Sequence, residues 1–205
     1  MRQKLQPKET DRAREIVACA KPIFLEKGYE ATSMAEIAAA VGGSKGTLYA
    51  YFSSKDELFE AFVICEVERR AAMITALPLN ASDPAGALGE VGRGLLKVLF
   101  DETVDALERI VLHEVLRFPA LGKVFYETGP EAAKARIATY LKEATAAGRL
   151  AVDDPDMAAE HFILLCQATL VQPFRFRVRK APKKSEIDEV VDAAITMFMK
   201  AYGVR

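Results

Sequence analysis

Apolar residues recur along the chain at the three-and-four spacing of helices, with strong helix formers throughout, little clustering of β-branched residues, and turn residues between segments of helical length. The first helix is expected to start near Thr10, to present Ile16, Val17, Ala20, Ile23 and Phe24 on one face, and to end at Gly28. Pro22 inside it lacks a donor for the Ala18 carbonyl and predicts a bend or a tightened turn. Ser33-Met34-Ala35-Glu36 reads as a capping box opening a short helix with Met34, Ile37, Ala38 and Val41 inward. Gly42-Gly43 closes that helix, Ser44 caps the next, and Lys45-Gly46-Thr47-Leu48-Tyr49-Ala50-Tyr51-Phe52 follows. Ser54-Lys55-Asp56-Glu57 is a second capping box, opening a longer helix with Leu58, Phe62 and Cys65 inward.

After a loop over 78–84, three or four helices are expected between 85 and 147, broken around Asp101-Glu102, Phe118-Pro119 and Gly129-Pro130. Asp154-Pro155 opens a helix that is apolar nearly all round over 162–171, and Ser185 opens a last helix with a stripe of Ile187, Val190, Val191, Ala194, Met197, Phe198 and Ala201. The stretch 174–180 alternates apolar and basic residues. A lone strand has no pairing partner there, so an interhelical linker is expected, its aromatic residues packed and its arginines wet. The expectation is an all-α protein: residues 1–55 a helix-turn-helix domain with an N-terminal arm, and 56–205 a helical ligand-binding and dimerisation domain.

Composition narrows the classes. Of the 205 residues 51% are hydrophobic and 28% charged, enough apolar matter for a folded core. The net charge of −1 hides an asymmetry. Through Lys55, nine basic residues face six acidic ones, so any attraction to nucleic acid is local. Three scattered cysteines, Cys19, Cys65 and Cys166, suit a reducing cytoplasm better than a disulfide framework. The polar, basic first nine residues are no secretory signal, and no apolar run reaches membrane-spanning length.

Reading DNA requires a helix that fits the major groove, polar side chains near its start, and donors that hold phosphates. Leu48 and Phe52, four apart, turn inward and leave Lys45, Thr47, Tyr49 and Tyr51 outward. Gly46 removes bulk from that face at about 1 kcal/mol of helix propensity. The helix starts at Thr32-Ser33 and Ser54-Lys55 offer N–H groups for phosphates, with the Lys55 charge added. On periodicity alone, a three-helix scaffold with a solvated charged face remains the alternative.

The run from Gly28-Tyr29-Glu30-Ala31-Thr32-Ser33-Met34-Ala35-Glu36-Ile37-Ala38 through Gly43-Ser44-Lys45-Gly46-Thr47-Leu48-Tyr49-Ala50-Tyr51-Phe52-Ser53-Ser54-Lys55-Asp56-Glu57-Leu58 resembles the tetracycline-repressor (TetR) family over roughly the first quarter of the chain. The resemblance implies a homodimer that binds a palindromic operator and releases it when a small molecule enters the C-terminal domain. It places Ser44, Lys45, Thr47, Tyr49, Tyr51 and Lys55 at DNA-contacting positions, with Thr32 and Ser33 at the second helix start. Gly43 departs from a frequent valine, and Pro22 from a helix that is usually proline-free. His113-Glu114-Val115-Leu116-Arg117-Phe118-Pro119 and Phe125-Tyr126-Glu127-Thr128-Gly129-Pro130 loosely resemble AefR-like members.

Arg109, His113, Glu114, Arg117, Tyr126, His161 and Gln167 are polar groups amid apolar helix faces and are the candidate effector contacts; ordinary satisfaction of polar positions in a bundle is the alternative for each. Phe162, Leu165, Thr169, Val190, Val191, Ala194, Met197 and Phe198 are expected at a four-helix dimer seam, because the two helices carry more apolar surface than a monomer leaves wet. No metal or other cofactor is expected. His113-Glu114 starts like a zinc motif, but Arg117 occupies the second histidine's place, and Gly43-Ser44-Lys45-Gly46-Thr47 lacks phosphate-loop spacing. The competing functional readings are a constitutive DNA binder and a helical-bundle carrier or enzyme.

Overall fold

The computed structural model describes residues 11–75 and 79–204; the expected N-terminal arm, the helix start at Thr10 and the Pro78 end of the loop lie outside them. The described chain is α-helical with no strand, an isolated antiparallel bridge between Leu150 and Gly203 apart. The elements are α1 (Asp11–Ala31), α2 (Met34–Ala40), α3 (Lys45–Tyr51), α4 (Lys55–Thr75), α5 (Pro84–Leu99), α6 (Glu102–Glu114), α7 (Pro119–Tyr126), a π-helical turn (Glu127–Glu131), α8 (Ala132–Ala146), α9 (Pro155–Gln167), α10 (Val171–Arg175) and α11 (Lys184–Tyr202). They fall into two compact units, the first reaching to Val67 and including Ala106–Phe125, the second comprising Glu68–Asp105 and Tyr126–Arg205.

In the first unit α1 turns Ile16, Val17, Ala20 and Phe24 inward, as its spacing requires, and Ile23 is partly covered. Pro22 keeps helical backbone angles; the chain leaves the helix at Gly28, with φ +75° and ψ −178°, a conformation L side chains resist. The core is an aromatic nest: the ring of Phe59 lies 5.1 Å from Phe24 and 4.9 Å from Tyr29, and Tyr29 lies 5.1 Å from Phe118. Leu58 and Phe62 are buried in α4, but Cys65 is exposed, a correction to the expected inward face. Glu66 takes the buried place beside it, both of its carboxylate oxygens accepting from Lys21 Nζ at 3.0 Å.

The second unit packs α5, α8 and α11 against α9. Gly92 makes this possible: a Cβ there would come within 3.0 Å of Val191 and 3.1 Å of the Cys166 sulfur, so α5 approaches both helices at a glycine. Burial pushes the Cys166 thiol up to about 12, so it behaves as a small apolar group. Arg93 ties α5 to α11 by donating to Asp188 and Asp192, each at 2.8 Å.

Three local expectations change. Gly129-Pro130 does not break the chain; the missing proline donor is absorbed by the π turn between α7 and α8. The apolar helix over 162–171 does break, with Thr169 at φ +64°, and the break turns Leu170, Val171 and Phe174 into a third cluster with Leu96 and Phe100. In 174–180, Phe174 packs on Phe100 at 5.1 Å, but Phe176 is 76% exposed, and it is Arg177 and Arg179 that are engaged, with Asp105 and Glu186. Arg175 and Arg177 stay exposed as expected, Arg177 and Arg179 being paired as well, and the departure is Phe176, which is wetter than expected.

Candidate nucleic-acid interface and neighbouring cleft

α2 and α3 are seven-residue helices, too short to persist alone, and each is fixed by its cap. Ser33 Oγ accepts from Glu36 N at 3.2 Å; the reciprocal half of that box is missing because the Glu36 carboxylate pairs with Lys27. Gly42, at φ +69°, ends α2, and Gly43 N donates to Ala38 O at 3.3 Å, the left-handed closure that glycine permits. Ser44 Oγ then accepts from Thr47 N at 3.1 Å and opens α3.

Leu48 and Phe52 anchor α3 in the core, which turns the opposite face outward. Lys45, Gly46 and Ala50 are exposed, Tyr49 is 50% exposed, and Thr47 and Tyr51 are half-buried at the edges. A Cβ at Gly46 would meet only Ser44 Oγ at 3.5 Å among the described residues, an ordinary contact, so none of them requires glycine there.

Two expected phosphate contacts are otherwise occupied. Thr32 is 3% exposed and its hydroxyl donates to the Gly28 carbonyl at 2.7 Å, while its N–H donates to Tyr29 O at 3.3 Å. Lys55 is half-buried, and its ammonium donates to the carbonyls of Tyr29 at 2.8 Å, Thr32 at 2.9 Å and Glu30 at 3.3 Å, 4.2 Å above the Tyr29 ring. It satisfies the carbonyls that the break at Gly28 leaves over. The next residue completes the clasp: Tyr29 Oη donates to the Asp56 carboxylate, and burial first, then that hydrogen bond, raises the tyrosine pKa. The second capping box is also displaced: Ser54 Oγ accepts from Glu57 N at 3.1 Å, but Glu57 returns to Ser53, taking its N–H and hydroxyl at 2.7 Å.

Of the seven candidate effector contacts, Arg109, His113 and Glu114 come together, on one face of α6. They line a cleft of about 300 Å³ whose other wall is the Leu25–Glu30 stretch at the end of α1, within the first unit. Glu114 is 5% exposed, with an oxygen 3.0 Å from His113 Nδ1. Arg117 stands beside the cleft, bonded to Glu30 and 5.1 Å over the rings of both Tyr29 and Phe118. The remaining three lie in the second unit: Tyr126 is exposed and bonded to Glu131, His161 bonds Tyr202 Oη at 2.7 Å, and Gln167 is half-buried at the end of α9. Sequence reasoning missed Tyr29, Glu30 and Asp56, whose side-chain hydrogen-bond partners are 27 or more residues away.

The expected dimer seam divides. Phe162, Val191, Ala194 and Phe198 are core residues of their own chain, Phe162 meeting Phe198 edge to face at 5.5 Å. This corrects the expectation for part of the stripe: Val191, Ala194 and Phe198 of α11 point into their own bundle. The outward faces carry Met157 and Leu164 on α9 and Met197 on α11, with Leu165 and Val190 half-buried and Thr169 exposed.

Comparison with known proteins agrees with this architecture. Residues 16–62 match the family model described as bacterial regulatory proteins of the tetR family, and residues 86–204 match that of the AefR-like transcriptional repressor C-terminal domain. The solved structure of the flavonoid-responsive regulator FrrA is 36% identical, with 95% of this chain and 98% of that one covered at a TM-score of 0.81. A TetR-family regulator from Mesorhizobium loti is 31% identical, with 96% and 100% covered at 0.80. The repressor ComR of Escherichia coli is 40% identical over 67 residues, 33% of this chain and 31% of ComR. The chain spans between 25% and 54% of the length of the curated relatives it matches. A helix-turn-helix at the N-terminus, a helical C-terminal region and a family match over more than half of its length together establish that the chain belongs to the TetR family of transcriptional regulators, with an AefR-like C-terminal domain.

Proposed function

We propose that the protein is a repressor that binds a palindromic operator as a homodimer in the cytoplasm and is released from it by a small molecule. The observation that carries the DNA reading is the outward face of α3. It holds Lys45 and Tyr49 clear of the core and has a glycine, Gly46, that costs about 1 kcal/mol of helix propensity and that no contact among the described residues demands. Close approach of a DNA backbone accounts for it. Ser33, Ser44, Lys45, Gly46, Thr47, Tyr49 and Tyr51 are the contacts in this reading, with residues 1–55 as the DNA-binding domain and 56–205 as the region that senses and dimerises.

Dimerisation rests on the outward faces of α9 and α11, where Met157, Leu164 and Met197 together leave apolar surface wet, joined by Leu165, Thr169 and Val190. The effector reading rests on the cleft lined by Arg109, His113 and Glu114, a cleft of small-molecule size in which charged groups stand beside Leu25, Ala106 and Ile110. The cleft borders the segment that Lys55 clasps. A ligand acts on the operator equilibrium only through a preference for one of two states of that segment.

The test is fluorescence anisotropy against a selected pool of palindromic duplexes, titrated with salt. Sequence-dependent, salt-sensitive binding by the wild type that Tyr49→Ala weakens supports the reading. Sequence-independent binding, or undiminished binding by Tyr49→Ala, overturns it.

A further inference from the structure

The cleft between the end of α1 and α6 has a charge balance that selects its occupant. Its apolar lining is Leu25, Ala106 and Ile110; its charged lining is Glu26, Lys27, Glu30, Arg109 and Glu114, with His113 at the rim. Two of these groups are already neutralised by partners outside the lining. Lys27 pairs with Glu36, Glu30 pairs with Arg117, and Arg109 has a partner of its own. Glu114 differs. Its side chain is 6% exposed, and among the described residues its carboxylate has one partner, His113 Nδ1 at 3.0 Å, on a ring that is itself 78% exposed. A carboxylate withdrawn this far from water requires compensation by charge and hydrogen bonds, and a single ring nitrogen at the solvent edge supplies little of it. Glu26, exposed at the same mouth, adds a second acceptor.

We infer that this cleft takes a small organic cation, an amine or amidine on an apolar body, its charged N–H groups directed at Glu114 and Glu26 and its body against Leu25, Ala106 and Ile110. The inference rests on reading the cleft as the effector site and names the class of effector. An anion of the same shape would bring charge to a buried carboxylate, and a neutral donor would hydrogen-bond without offsetting the charge. The volume of about 300 Å³ lies at the lower end for small-molecule sites and admits a single-ring compound.

Isothermal titration calorimetry of the full-length protein with benzylamine, benzyl alcohol and benzoate separates the classes at constant shape. Benzylamine is expected to bind best and benzoate worst. Glu114→Gln is expected to weaken benzylamine by about ten- to a hundred-fold, the loss of one charged hydrogen bond, and to leave benzyl alcohol unchanged. Glu26→Gln, at the exposed mouth and remote from the core, gives a few-fold loss and serves if Glu114→Gln does not fold. Benzoate or benzyl alcohol binding as well as benzylamine, benzylamine binding indifferent to both substitutions, or no heat from benzylamine at millimolar concentration overturns the inference. Operator binding by the same preparation, read by anisotropy, keeps failure of the cation class distinct from failure of the regulator reading.

Discussion

Replacing Lys55 by methionine keeps an apolar stem of similar length and removes the ammonium that holds the carbonyls of Tyr29, Glu30 and Thr32. Hydrogen bonds from a charged donor contribute about 1.5–3 kcal/mol in protected settings. Lys55 is only half-buried, so water recovers part of the loss, and about 2 kcal/mol is expected for the three bonds and the contact over the Tyr29 ring together. At about 2–4 °C per kcal/mol for chains of this size, that is a fall of about 4–8 °C in Tm. The same substitution discriminates against a phosphate contact. A lysine that neutralises a phosphate leaves stability alone when removed and lowers the slope of log K against log salt by about 0.9. Circular dichroism melts of Lys55→Met, paired with operator titrations at several salt concentrations, read both quantities. An unchanged Tm together with a slope reduced by about one would refute the clasp and restore Lys55 to the DNA contacts.

Lys45→Ala, like Tyr49→Ala, is expected to weaken operator binding while shifting unfolding by less than about 0.5 kcal/mol, since Lys45 is exposed and no core contact is lost; operator titration and urea denaturation check the two halves. Phe198→Glu places a charge in the α9–α11 core and is expected to unfold the second unit, whereas Leu164→Glu or Met197→Glu is expected to give folded monomers in sedimentation; a folded Phe198→Glu monomer would contradict this division. Burial raises the Asp101 pKa, but the hydrogen bond from Arg70 and those from the Val104 and Thr103 N–H groups outweigh it and hold the carboxyl below its ordinary value. Stability from Asp101 is thus present above its unfolded pKa and lost as pH falls through the lower folded one, so Asp101→Asn should lessen the loss of urea resistance below about pH 4.

Signals confined to a few neighbouring residues carried the reading of α2, the turn and α3. Ser33 and Ser44 cap, Gly42 supplies positive φ, and Leu48 and Phe52 point in, each a matter of one to four residues. Roles set by distant partners were not legible. Lys55 reads as an exposed cation until the carbonyls 23 to 26 residues earlier are seen beneath it, and Thr32 reads as a free donor until Gly28 is found unwinding α1 next to it. The α11 stripe was legible as a stripe, but an apolar stripe does not say whether its partner is α5 and α9 of the same chain or a second copy; Phe198 and Val191 chose the former. The break at Thr169 had no glycine to announce it, and the gain that drives it, burial of Leu170, Val171 and Phe174, is tertiary.

The Lys55 clasp also bears on how the reading head melts. The contact from Lys55 back to Tyr29 spans 26 residues and encloses all of α2 and α3, so the two short helices form a loop fastened at its base. Closing a flexible loop of that length costs about 3 kcal/mol of chain entropy, and a helix of two turns cannot supply that alone. Once the base is fastened, α2 and α3 inherit an order they could not build for themselves. Their amides should therefore exchange with solvent as one cooperative block, at a rate governed by how often the base comes undone rather than by fraying of either helix.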